Sequence, residues 1–282
     1  MNSYIGGKTV KINGFKVRFI NAQCYEFILP NGKHLITDPY ITPVNLVGFR
    51  PFSVDEIERC DYILLTHSHY DHTSDIGYLF KKFSSKVFCS SMVAVELAKY
   101  FEVAPGRIFP FDNMDTYEMP DFTLLTVRGK HFPMLNVRFD PGSFPDSFGG
   151  SGHDLLNYMG TIFSYDFCIT LSNNIRIMFV SGTDEYKNIY KVADEYRPNV
   201  LFRHTAGSVS GEEWGKVIAK YNAQVAFPNH QDNIYNGKWG VSMDDFAQQI
   251  RDSLKEAGSD TVFINPTPYK WYDISLGVTE ED

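Results

Sequence analysis

The segment that constrains this chain most is Thr66-His67-Ser68-His69-Tyr70-Asp71-His72, an HxHxDH string. It gathers three of the chain's eight histidines and an aspartate into six positions. It directly follows an apolar run of strand length, Tyr62–Thr66, and directly precedes a helical pattern over Asp75–Phe83. Neutral imidazoles and carboxylates suit Zn²⁺, Mn²⁺ or Fe²⁺. A turn leaving a strand can aim two side chains, two positions apart, at one ion. The Asp and His that follow then point at a second ion alongside. The competing reading is a polar loop with coincidental histidines, and the crowding of ligand types argues against it.

The rest of the chain reads as strands alternating with helices. Early strands are expected at Thr9–Ile12, Lys16–Ile20, Tyr25–Leu29 and His34–Thr37, with Asn13-Gly14 and Pro30-Asn31-Gly32 as hairpin signals. After the HxHxDH string come a strand at Lys86–Cys89, a helix at Met92–Phe101 and a strand at Phe122–Arg128. From Phe132 to Tyr158 the sequence turns loop-like, rich in Pro and Gly, with Phe144, Phe148 and His153 among them. A loop of that length is usually a lid or a binding loop. Strands Thr161–Leu171 and Ile175–Val180, a helix over Tyr186–Tyr196 and a strand at Val200–His204 follow. Then come a helix over Glu212–Tyr221, a strand at Gln224–Phe227, a helix over Asp244–Ala257 and a last clear strand at Thr261–Ile264. No Pro/Gly/Ser linker divides the chain. The expectation is one α/β domain over residues 1–282, with two sheets face to face, helices on both outer faces, and a loop insertion at about 132–158.

Composition narrows the function classes. A net charge of −8 argues against a broad phosphate-tracking face, which needs clustered Lys and Arg. Cys24, Cys60, Cys89 and Cys168 are far apart and form no CxxC pair, so they read as isolated buried thiols. Met1 to Ile20 lacks a signal-peptide layout, and the apolar runs are far short of a membrane span. A reduced, cytoplasmic setting without membrane partners is the expectation. Homo-oligomerisation stays open.

With HxHxDH following a strand, the chain resembles the metallo-β-lactamase superfamily, whose fold is a four-layer αβ/βα sandwich with metals at one edge. The resemblance spans about residues 15 to 232. His131 in Gly129-Lys130-His131 resembles the family's lone strand-end histidine, and His230 in Pro228-Asn229-His230 its last one. Asp184 in Gly182-Thr183-Asp184-Glu185 resembles the bridging aspartate, although the family usually reads Gly-Asp there. Either Asp184 bridges from a turn one residue longer, or Glu185 does so. Asp is favoured because its shorter side chain is easier to hold between two ions. Asp38 in Thr37-Asp38-Pro39 resembles the Asp that ends an early strand, and the resemblance implies that it orients a metal ligand. The Asp-Pro form, together with the layout after His131, is most similar to the branch containing ascorbate-6-phosphate lactonase and phosphodiesterase-type relatives.

The resemblance implies that His67, His69 and His131 hold one ion, that Asp71, His72 and His230 hold the other, and that Asp184 joins them. Zn²⁺ comes first for the two divalent ions, with Mn²⁺ or Fe²⁺ as alternatives. They would lie about 3.5–4 Å apart and share a hydroxide. Two dications less Asp71, Asp184 and the hydroxide leave about one positive charge, which favours an anionic or carbonyl substrate. Asp71 and Asp184 are therefore the candidate catalytic residues. His204, at a strand end, is a third, for substrate contact or proton traffic, with a structural role equally open. His153 is either a lid residue meeting substrate or merely solvated. Arg203 and Lys130 are candidate anion clamps, more readily ordinary surface charges, and His34 is structural.

The leading function is a metal-dependent hydrolase whose bridging hydroxide attacks an ester, lactone or phosphodiester of a small substrate. No GxSxG elbow or P-loop supports serine catalysis or nucleotide hydrolysis. Flavodiiron proteins of this fold typically carry Glu where His69 stands, so oxygen reduction is disfavoured. An RNA-processing nuclease is the alternative within hydrolysis, and the acidic balance counts against it. A non-catalytic metal-bound sensor or binding module is the alternative from another class, weakened by the full ligand set.

Overall fold

Strand periodicity explains how one chain builds two sheets with three apolar layers. The computed structural model describes residues 10–42, 46–131, 152–182, 188–205 and 209–278. Among these, one seven-stranded sheet is ordered β14 (Tyr272–Val278), β1 (Val10–Asn21), β2 (Cys24–Ile28), β3 (His34–Thr37), β4 (Tyr62–Leu64), β5 (Lys86–Ser90), β6 (Ile108–Phe111). The other is ordered β13 (Val262–Phe263), β12 (Val225–Asn229), β11 (Val200–His204), β10 (Arg176–Val180), β9 (Tyr165–Leu171), β8 (Phe122–Arg128), β7 (Thr116–Glu118).

Alternate residues on the central strands face opposite layers, as a period of two requires. In β10 and β11, Ile177, Phe179, Val200 and Phe202 join the core between the sheets, while Met178, Val180 and Leu201 join the outer layer. Aromatic contacts stitch the sheets together: Tyr25 and Phe27 meet Phe202 with ring centroids 4.8 and 5.3 Å apart. The first sheet's outer face is covered by α2 (Ile76–Lys82), α3 (Ser91–Tyr100) and α4 (Gly152–Ile162) through Leu79, Leu97 and Leu156. The second sheet's outer face is covered by α5 (Asn188–Tyr196), α6 (Gly211–Ala219) and α7 (Met243–Glu256) through Ile189, Trp214 and Phe246. The layering is αβ/βα, as the resemblance implied.

Direction positions the site. β3 and β4 are parallel, and β10, β11 and β12 are parallel. β8 and β10 each run antiparallel to β9, so β8 shares their sense. The C-terminal ends of β3, β4, β8, β10, β11 and β12 carry Asp38, His67, His131, Gly182, His204 and His230. Two bonds between segments of different sheets close that edge: Tyr165 N–H donates to the Thr66 carbonyl at 3.0 Å, and His230 N–H to that of Ala22 at 2.7 Å. Carboxyl ends of parallel strands are the common place for ligand sites in α/β folds.

Several boundaries differ from expectation. Asn13-Gly14 is not a hairpin: β1 runs through it, with a bulge in its pairing with β14 between Ile12 and Phe15. Gly14 is demanded there because a Cβ would sit 1.6 Å from the Ile274 carbonyl oxygen. β14 was missed altogether, although Tyr272, Ile274, Leu276 and Val278 alternate as an edge strand should. Residues 152–158 are helical, not loop, and the strand expected from Thr161 begins at Tyr165. Gly152 and Gly160 masked the helical spacing of Leu156, Met159 and Phe163. The remainder of the expected lid, 132–151, lies outside the described residues. All four cysteines are free and buried, as expected.

Candidate metal centre

The HxHxDH turn is held before any ion is considered. His67 follows β4, His69 caps the one-turn helix α1 (Tyr70–Thr73), and Asp71 and His72 lie within α1. Asp38, fully buried, accepts Thr66 N–H at 2.7 Å and the Thr66 hydroxyl at 2.6 Å. Asp75 anchors the segment after Asp38 by accepting Ile41 N–H at 2.6 Å.

The ligand-type atoms gather into groups whose members all lie within 4.8 Å of one another. One group is His67, His69 and His131, and another is Asp71, His72 and His230. These are the two sets implied by the resemblance. A third grouping, Asp38 with His67 and His72, links them through Asp38 Oδ2, 3.0 Å from His72 Nδ1. The ring centroids of His67 and His72 are 3.8 Å apart, and those of His69 and His131 4.5 Å. Asp184 and Glu185 lie outside the described residues. The chain enters that segment from Gly182, where a Cβ would meet the Lys130 carbonyl oxygen at 2.3 Å.

Three rings have one nitrogen hydrogen-bonded to a residue outside the two ligand sets, and His72 Nδ1 lies 3.0 Å from Asp38 Oδ2 without a hydrogen bond. His67 Nδ1 is 3.0 Å from Thr66 Oγ1, and His72 Nδ1 faces Asp38. His230 Nδ1 is 2.8 Å from Asp232 Oδ1, and His69 Nε2 is 2.7 Å from Thr161 Oγ1. Such outer partners are how metal-binding histidines are generally oriented. Asp232 and Thr161 escaped the sequence reading. Asp232 stands only two positions after His230 and was findable, whereas nothing marks one threonine among many.

Electrostatics fit a cation. His67 Nε2 and His72 Nε2 are buried with no hydrogen-bond partner, which costs free energy unless something binds them. Burial, then the neighbouring imidazoles of His72, His69 and His131, holds His67 well below the usual histidine range. Burial, then His131 and His72, pushes His69 down to about 3. Both rings therefore stay neutral and able to donate a lone pair. Burial would raise Asp71, but His72 and His230 outweigh it and keep the carboxylate ionised. Burial likewise opposes a proton on His230, and Asp232 and Asp71 overcome it, raising that histidine. Its Nε2 lies 3.3 Å from Asp71 Oδ2. A dication bound between them would displace that proton, the usual coupling of metal binding to proton release. Asp38 and His230 also carry positive φ, 40° and 62°, strain that clusters at functional sites.

The outlying candidates separate. His204 is buried beside the second group, with its ring 5.1 Å from that of His230. His153 sits on α4 between Tyr70 and Tyr100, with ring centroids 5.0 and 5.2 Å away. Arg203 is a correction. It is no surface charge but fully buried, with Nη1 donating to the Gly182 and His204 carbonyls at 2.8 and 2.9 Å and the guanidinium over Trp214. It braces the loop ends beside the site. His34, as expected, is structural, with Nδ1 2.7 Å from Glu26 Oε1.

Comparison with known proteins agrees with the fold and the turn. Residues 34–145 match the family model described as "Beta-lactamase superfamily domain". A possible metal-dependent hydrolase from Veillonella parvula superposes with a TM-score of 0.67 at 15% identity, covering 92% of this chain and 99% of that one. Fold, turn and family match together make this chain similar to the metallo-β-lactamase superfamily. Among curated proteins it is similar to the UPF0173 metal-dependent hydrolase of Koribacter versatilis, 27% identical over 189 residues, 67% of this chain and 71% of that protein. It is also similar to the UPF0173 metal-dependent hydrolase of Thermodesulfovibrio yellowstonii, 25% identical over 214 residues, 73% of this chain and 74% of that protein. Among the described residues no helix is long and apolar enough to cross a membrane.

Proposed function

We propose that the chain is a metal-dependent hydrolase of small molecules, with two divalent ions, Zn²⁺ first among the candidates, held by His67, His69, His131 and by Asp71, His72, His230. The observation that carries this reading is the pair of three-residue groups converging on one turn, each with its ligand atoms within 4.8 Å. The relatives' names as metal-dependent hydrolases support it. Bound there, the ions would supply an activated water nucleophile and an electrophile for the oxygen that gains charge. The chain's residues do the remainder. Asp38 and Asp232 orient His72 and His230, and Asp71 keeps its negative charge beside His230. His204, at the end of β11, stands where it can meet a substrate or carry a proton.

The bond proposed is an ester, lactone or phosphodiester of an anionic or carbonyl substrate. An excess of acidic residues, 34 against 26 basic, counts against a nucleic-acid substrate. A reduced cytoplasmic setting belongs to the same proposal and is supported by the four buried free thiols. The test is a panel of lactones, phosphodiesters, phosphorylated sugars and thioesters, run on zinc- or manganese-loaded protein and on chelator-treated protein. Hydrolysis of at least one class, lost with chelator and restored by metal, is expected. Turnover that chelation leaves unchanged would count against the reading.

Asp184 is proposed to join the two ions. Asp184→Ala is therefore expected to lower both activity and metal occupancy, and Glu185→Ala to do much less. Elemental analysis alongside turnover checks this. If Glu185→Ala is the damaging change, the bridge belongs to Glu185.

A further inference from the structure

Four positions of α4 hold the HxHxDH turn. The Leu156 carbonyl accepts the Ser68 hydroxyl at 2.6 Å, and Asn157 Oδ1 accepts Tyr70 N–H at 2.6 Å. At Gly160 a Cβ would lie 2.7 Å from His69 N and 2.8 Å from His69 Cδ2, so the helix backbone rests directly on the turn. Thr161 Oγ1 then meets His69 Nε2 at 2.7 Å. Residues 156, 157, 160 and 161 share one helix face, so the four contacts form one surface.

The direction of the last bond depends on which His69 ring nitrogen carries the proton. The Thr161 hydroxyl donates to the Asn157 carbonyl at 3.3 Å, which leaves its lone pairs for His69. With the hydroxyl proton engaged there, Nε2 is the N–H donor, and this is the arrangement proposed below. A neutral imidazole has one such proton, so its lone pair is on Nδ1.

We propose that Thr161 is a positioning residue for His69, fixing its tautomer and ring orientation so that Nδ1 presents its lone pair to an ion shared with His67 and His131. The inference rests on the proposal that these three histidines bind metal. It gives α4 a role beyond covering the sheet. The helix sets the aim of one ligand, and the Gly at 160 lets it approach closely enough to do so.

Chelator-competition titration of zinc into wild type, Thr161→Val, Thr161→Ser and His69→Ala tests it, with long-range ¹H–¹⁵N spectra of the zinc-loaded wild type. Thr161→Val keeps the side chain's shape and is expected to weaken zinc binding about 10–100-fold, the usual scale for such outer partners. Thr161→Ser should stay near wild type, and the spectra should show His69 protonated on Nε2. Zinc affinity unchanged by Thr161→Val but lost in His69→Ala would overturn the role of Thr161. So would a His69 proton on Nδ1, a result that needs no variant to fold. Wild type that binds no zinc would overturn the site reading beneath the inference.

Discussion

His67→Ala is expected to abolish hydrolysis while leaving the metal-free fold near its wild-type stability. The ring is 2% exposed, and its Nε2 is buried without a hydrogen-bond partner. That orphaned nitrogen costs the metal-free protein about 1–3 kcal/mol. Truncating a buried side chain costs about 2–5 kcal/mol in lost packing. The two effects oppose each other, so the net change should be small for a buried truncation. Function has no such compensation, because His67 belongs to two of the three ligand groups. Losing the several kcal/mol that a bound ion contributes to the reaction corresponds to about a 10³-fold fall in turnover or more. Melting curves with chelator and with zinc, beside turnover, separate the two effects. Wild type should gain melting temperature on loading. An active His67→Ala that zinc still stabilises would sink the assignment.

Asp38→Ala should show the opposite balance, damaging the fold whether or not metal is present. Its carboxylate is fully buried and accepts two bonds from Thr66 while facing His72 Nδ1. Removing it strands the Thr66 N–H and hydroxyl and leaves the His72 ring without its orienting partner. Breaking a buried charged network from one side costs about 3–5 kcal/mol. Urea unfolding of the chelator-treated variant should show a midpoint well below wild type, and zinc affinity should fall as well. An unchanged midpoint would mean that Asp38 does not hold the turn. Asp38→Asn, which keeps an acceptor for Thr66 N–H, should fall between the two.

The candidate site was legible where its residues are local or stand at strand ends. His67, His69, Asp71 and His72 come from one turn, so their spacing alone implied convergence. His131 and His230 were found because a histidine closing an apolar strand stands out. Asp232 was overlooked although it stands two positions after His230, and Thr161 was not found, since a threonine that acts on a ligand's far nitrogen leaves no pattern of its own. The layering was readable from the alternation in strands such as β10 and β11. β1 was cut in two because Asn-Gly ordinarily means a turn, and only the nearness of Ile274 explains a glycine inside that strand. α4 was lost because glycine reads as a helix breaker, whereas Gly160 lies where the helix backbone touches His69. In both cases a tertiary contact selected the glycine, and such contacts are invisible to local pattern.

The most direct test of the account is an anomalous-difference map from crystals of the zinc-loaded protein, collected on both sides of the zinc absorption edge. The account predicts two peaks, one among His67, His69 and His131 and the other among Asp71, His72 and His230, about 3.5–4 Å apart as in two-metal sites generally. Peaks elsewhere on the surface with none in this cluster, at saturating zinc, would contradict it.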